Sequence, residues 1–126
     1  MGDRAQLVLL FGGNTSPLYL YRHWGGEYAL PDLRSTLRDM LRDARGNWER
    51  PGELARDLIH DWNNERVSPH ATYPDHEDLV LDLERGTVYA SGRETNTPLV
   101  RLKEELTFEE FATLAPDEAQ RRLGWE

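Results

Sequence analysis

Six consecutive residues, Tyr21-Arg22-His23-Trp24-Gly25-Gly26, hold most of the side-chain types that recognise a small ligand. A guanidinium can grip a carboxylate or phosphate with two parallel hydrogen bonds, and an imidazole can donate or shuttle a proton near neutral pH. Trp and Tyr rings stack on bases or cations, and glycine lets a ligand approach the backbone. The run therefore reads as a ligand mouth with Tyr21, Arg22, His23, Trp24 and Gly26 as candidate binding residues. The competing reading is a strand end whose aromatics cover the core and whose Gly-Gly pair makes a turn.

A second set of arginines follows at helical spacing. On a wheel of about 100° per residue, Arg34, Arg38, Arg42 and Arg45 fall within about 80° of one another, while Asp32, Asp39 and Asp43 occupy a separate arc. Like charges four residues apart oppose a helix by roughly 0.2–0.5 kcal/mol per pair, so their grouping calls for a cause. An anionic ligand, an acidic surface on a second copy of the chain, or plain solvation with salt screening would each provide one. Arg34, Arg38 and Arg42 join the candidate ligand-binding residues.

The histidines form looser groups. Asp57, His60 and Asp61 share the polar side of one predicted helix, and His70, Asp75, His76 and Asp78 crowd a polar stretch before a strand. Metal ligation needs three or four convergent donors, and neither group has a recognised spacing such as H-E-x-x-H. Nucleophile elbows and phosphate-cradling glycine loops are likewise missing, and zero cysteines remove thiol chemistry and Cys-based zinc sites. No catalytic residue, metal or cofactor is assigned from the sequence, and binding is favoured over catalysis.

Elements that would position these residues follow from periodicity. Residues 6–12 read as a strand that is apolar on both faces, the pattern of a strand covered on both sides. A turn over 13–17 leads to a second strand over 18–23, where Leu18, Leu20 and Arg22 share one face and Tyr19, Tyr21 and His23 the other. A loop over 24–28 precedes a helix over 31–45, stopped by Gly46, whose core arc is Leu33, Leu37, Met40, Leu41 and Ala44. A second helix over 51–63 carries Leu54, Ala55, Leu58, Ile59 and Trp62 on one side, and the 47–50 connection suits an antiparallel pair.

After a polar stretch at 65–77, read as a long exposed loop, residues 79–83 and 88–90 make a second hairpin around 84–87. Turn chemistry at 91–98 leads to an edge strand over 99–102. Thr107 and Glu110 fit a capping box for a short helix bearing Phe111 and Leu114, and residues 116–123 make a last helix ended by Gly124. The fold class is α+β: an antiparallel sheet of four to five strands in two hairpins, packed by two central helices, with short C-terminal helices. A length of 126 residues and an apolar fraction of 38% suit one domain with one core.

Charge bounds the partners. The net charge of −8 argues against duplex nucleic acid, which needs a basic face. Residues 1–60 balance eight arginines against eight acids, so the whole acidic excess lies in residues 61–126 and the arginine stripe stands in a neutral half. The longest apolar run, Leu7 to Phe11, is far below the roughly 20 residues that span a bilayer, and no basic leader precedes it. The expectation is a cytoplasmic protein without a membrane partner.

The stretch 18–33, with Tyr21-Arg22-His23, Gly26 and Leu30-Pro31-Asp32-Leu33, resembles a family of small uncharacterised proteins of tailed-phage and prophage genomes. In that family a strand ending in Tyr-Arg-His precedes a Gly-containing loop and a helix opening at Leu-Pro. Residues 79–83 and 88–90 are similar to the family's final hairpin, and together the similar parts span about half of the chain. The chain departs from the family loop, Asp-Gly-Tyr-Pro, by having Gly25-Gly26-Glu27-Tyr28. The resemblance implies a phage context, in the host cytoplasm, and no mechanism. That context implies a role by binding, either sequestering a nucleotide-derived immune signal or blocking a host defence protein.

The resulting expectation is a counter-defence binding protein, a homo-oligomer that takes a small anionic ligand or a host defence protein. A small metal-assisted hydrolase using His70 and His76, and a structural or assembly protein of a phage, are the alternatives.

Overall fold

Strands form where apolar residues are densest. The computed structural model of the chain describes residues 2–13, 15–42, 51–72, 74–92 and 99–126. β1 (Ala5–Leu10) and β2 (Leu18–Arg22) pair antiparallel, with Leu7 opposite Leu20 and Gln6 opposite Tyr21. β4 (Asp78–Asp82) and β5 (Thr87–Ser91) form the second antiparallel pair, with Leu79 opposite Ala90. Both expected hairpins are present.

The sheet is larger than expected and contains one parallel pair. Its order is β3-β2-β1-β4-β5-β6, where β3 is Arg66–Ser68 and β6 is Leu106–Thr107. β4 lies parallel to β1, with Leu7 beside Leu79 and Leu9 beside Leu81. Four to five antiparallel strands thus become six among the described residues, mostly antiparallel. The reason is the long excursion between β2 and β4, which returns the chain to the free edge of β1 in the same direction, something no tight turn can do. β3 lies within the stretch expected to be a loop. It is three residues long with only Val67 as an apolar residue, too short to leave a periodic signal.

At the opposite edge, residues 99–102 contribute one bridge, Arg101 with Ser91, while the edge strand itself forms at 106–107. The greater part of the expected 91–98 turn lies outside the described residues, as does Asn14 of the first turn.

Side chains of alternate parity define two unlike faces of the sheet. Leu7, Leu9, Leu20, Leu79, Leu81, Val88 and Ala90 belong to the buried core, and all four helices add residues to the same cluster. Helix α1 (Ala29–Arg42) contributes Leu30, Leu33 and Leu37, with Met40 and Leu41 packed against the cluster. Helix α2 (Pro51–Asp61) contributes Leu54, Ala55 and Leu58, followed by Trp62. Ala44, Arg45, the Gly46 stop, Asp43 and the 47–50 connection lie outside the described residues.

The expected pairing of the two long helices gives way to a different arrangement. Among the described residues, the helices packed closely on α1 are α3 (Phe108–Thr113) and α4 (Pro116–Leu123). Trp62 links the α2 end to α1 through its indole N–H, which donates to the Ala29 carbonyl at 3.2 Å. The capping box is formed as expected: the Glu110 amide donates to Thr107 Oγ1 at 3.1 Å, and the Thr107 amide to Glu110 Oε1 at 3.0 Å. α4 ends at Gly124, whose φ of 76° lies in the left-handed region that favours glycine.

Candidate functional site

Strand alternation divides the Tyr21–Gly26 run. Arg22 points into the core side, and its side chain is 2% exposed. Its Nε donates to the Asn63 carbonyl at 2.8 Å, and its Nη1 donates to the Gly25 carbonyl at 3.2 Å and to Asp32 Oδ2 at 2.8 Å. The guanidinium also lies over the Trp62 ring, 4.2 Å from its centroid. Arg22 therefore ties β2 to the first turn of α1 and to the end of α2. The residue expected to grip a ligand has its donors committed to the protein, apart from a buried Nη2 with no hydrogen-bond partner among the described residues.

Tyr21 and His23 lie on the opposite face. The Tyr21 hydroxyl and His23 Nδ1 are 2.9 Å apart, Arg66 sits 5.2 Å from the Tyr21 ring centroid, and Trp24 meets His23 edge-on at 4.9 Å. Trp24 and Tyr28 are exposed, at 59% and 58%. A small cleft of about 210 Å³ opens beside His23, lined by Gly2, Arg4 and Asp75 as well. Arg4 is held there by Asp75 through Nη2–Oδ1 at 3.1 Å and Nε–Oδ2 at 3.2 Å, and this partner lowers the Asp75 pKa to about 2.

Gly26 is buried, and its reason for being glycine is packing. A Cβ there would stand 2.6 Å from the Asp3 carbonyl oxygen and 3.0 Å from His76 Cδ2. Its amide donates to that same Asp3 carbonyl at 2.8 Å. The residue expected to let a ligand approach instead lets the N-terminal segment approach.

The arginine stripe occupies a separate place. Arg34, Arg38 and Arg42 line a groove of about 470 Å³ between α1 and α3, completed by Leu41, Ala112 and Thr113. Arg34 Nε donates to the Leu114 carbonyl at the end of α3, where the helix leaves acceptors unsatisfied. Arg42 pairs with Asp39 at 3.2 Å, both side chains largely exposed, so that pair is weak. Arg38 is exposed. Tyr21, His23 and Trp24 are not among the groove's lining residues, so the two expected halves of one site do not converge.

No side-chain group among the described residues gathers three or more His, Asp or Glu to hold a metal. His60 pairs with its neighbour Asp61 at 2.8 Å in solvent. His70 is exposed, and its amide donates to Ser68 Oγ. His76 has both ring nitrogens occupied, with Nε2 2.7 Å from Asp3 Oδ1 and Nδ1 2.8 Å from the Glu126 main-chain oxygen. The histidines named for a hydrolase are thus not assembled. No helix among the described residues is long and apolar enough to cross a membrane.

Asp78, grouped by spacing with His70, Asp75 and His76, is instead joined to Gln6 in a buried polar pair on the sheet face away from the helices. Gln6 and Asp78 are 1% and 5% exposed, and Gln6 Nε2 donates to Asp78 Oδ1 at 3.1 Å. Gln6 Oε1 accepts from the Thr72 amide at 2.8 Å and from its hydroxyl at 2.9 Å. Burial raises the Asp78 pKa to about 7, against the opposing effect of the Gln6 hydrogen bond. A glutamine inside an otherwise apolar run was the available signal.

No protein-family model, no curated protein and no solved structure matches this chain, so its own geometry carries the functional reading.

Proposed function

We propose that the protein is a non-enzymatic accessory binding protein that captures an anionic, nucleotide-like ligand in the groove between α1 and α3. The observation that carries this reading is the convergence of Arg34, Arg38 and Arg42 on a groove whose remaining lining is Leu41, Ala112 and Thr113. A ring or chain lies against the apolar wall, and the phosphates or carboxylates of the same molecule face the guanidinium groups. Arg38 and Arg42 are the principal contacts, because Arg34 already caps α3. The counter-defence role in a host cytoplasm, and the homo-oligomeric state, come from the phage-type resemblance and belong to the same proposal. Capture of the ligand would then withdraw a nucleotide-derived immune signal.

A thermal-shift screen against cyclic, linear and ADP-ribose-type nucleotides, followed by recovery of the ligand, tests the reading. Stabilisation with intact ligand, lost in Arg38→Glu, is the expected result. Recovered ligand that has been cleaved overturns the non-enzymatic reading. Absence of any shift overturns nucleotide capture and moves the search to a host protein bound on the same face.

A further inference from the structure

Resting on nucleotide capture in the groove between α1 and α3, we propose that the groove recognises two adjacent phosphate groups and is indifferent to the base. Its ligand class is then the nucleoside diphosphates as a whole.

Arg38 and Arg42 both line the groove and stand four residues apart on α1, which puts them on one helix face with Cβ atoms about 5–6 Å apart. Arg34 is already anchored, its Nε donating to the Leu114 carbonyl at the end of α3. Two guanidinium forks remain, and each takes two oxygen atoms in its strongest geometry. A phosphate monoester offers three terminal oxygens, too few for both forks, and a cyclic monophosphate offers two. A diphosphate offers at least four, spread over two linked phosphorus atoms, so each fork has its own phosphate. Arg42 can turn to a ligand because its pair with Asp39, 3.2 Å long, joins two largely exposed side chains and is therefore weak. The repulsion between Arg38 and Arg42, one turn apart, falls when a diphosphate lies between them.

Reading a base takes fixed donors and acceptors matched to its polar edge. Among the described residues the groove lining holds no carboxylate or carboxamide. Its hydroxyl, that of Thr113, is turned to the Glu109 and Glu110 carbonyls of its own helix, at 2.8 and 3.2 Å. Leu41 and Ala112 offer apolar surface, on which heterocycles that differ in polar substituents rest about equally well. The phosphates thus carry the selectivity, and the base adds surface contact alone.

Calorimetric titration of the full chain at one low salt concentration tests this with ADP, GDP, UDP, AMP and adenosine 3′,5′-bisphosphate. The three diphosphates are expected to bind within about threefold of one another, and AMP at least about tenfold more weakly, the effect of losing one charge-assisted fork. Adenosine 3′,5′-bisphosphate separates adjacency from charge, because its two phosphates sit on different carbons of the ribose. It too is expected to bind at least about tenfold more weakly than ADP. Arg38→Lys keeps the charge and removes the fork, and is expected to bring ADP down to the affinity of AMP. A wider spread among the bases, a smaller margin over AMP or the bisphosphate, or undiminished ADP binding in Arg38→Lys each overturns the proposal while nucleotide capture stands. No binding by any of these nucleotides overturns nucleotide capture and this selectivity with it.

Discussion

Arg22 buries its charge on the core side of the sheet, under Trp62 and against the exposed carboxylate of Asp32. Removing the side chain leaves a cavity and strips the Asn63 and Gly25 carbonyls of their donor, so Arg22→Ala is expected to lower stability by about 3 kcal/mol. Urea denaturation measures this. A variant of undiminished stability that fails to bind ligand would instead make Arg22 a ligand contact. Asp78 gives a prediction with a definite sign. Its carboxyl pKa rises from 3.8 in the unfolded reference to about 7 in the fold, so the folded form retains a proton that the unfolded chain has released. Stability from this group is therefore full below about pH 4 and falls as pH rises to about 7, by roughly 4 kcal/mol in all. Asp78→Asn is expected to flatten that slope and raise stability at pH 8, with denaturation midpoints across pH as the readout. An unchanged slope in the variant would assign the pH dependence to other groups. The alternation of residue types showed which strand face Tyr21, Arg22 and His23 would take. It did not show that the Arg22 face is the core, because an arginine on a strand is ordinarily solvated and its partners Asn63 and Trp62 come from a segment some forty residues away.

Elements were most legible where a local device sets them. The Thr107–Glu110 box needs only four residues, and it forms as the sequence indicates. Thr107→Ala is expected to cost about 1 kcal/mol and to loosen α3 first, seen as faster exchange of the Phe108–Glu110 amides. Uniform loosening of the whole chain would speak against a local cap. Pairings between distant segments were less legible. Apart from Gln6, β1 is apolar and carried the mark of a strand covered on both faces, and its parallel partner β4 is consistent with that mark, yet no local pattern names which strand lies alongside. β3 and β6 are held by the strands beside them rather than by their own composition, so their positions were not visible in periodicity. The α1 groove was legible in part: helical spacing grouped the arginines, but Ala112 and Thr113 come from a helix some seventy residues away.

Over the whole molecule, helices cover one face of an open sheet, and the arginine stripe opens on the helix layer while the Tyr21–His23 cluster sits on the other face. This separation makes the groove a site in its own right. An anion held by Arg38 and Arg42 at an exposed groove should bind more weakly as salt rises, because screening acts strongly on exposed charges. Chemical-shift mapping with the nucleotide selected by the stability screen locates the binding site. Shifts are expected to concentrate at Arg38, Leu41, Arg42, Ala112 and Thr113 and to be abolished in Arg38→Glu. Shifts centred instead on His23, Trp24 and Tyr28, undiminished in that variant, would contradict a site in the groove.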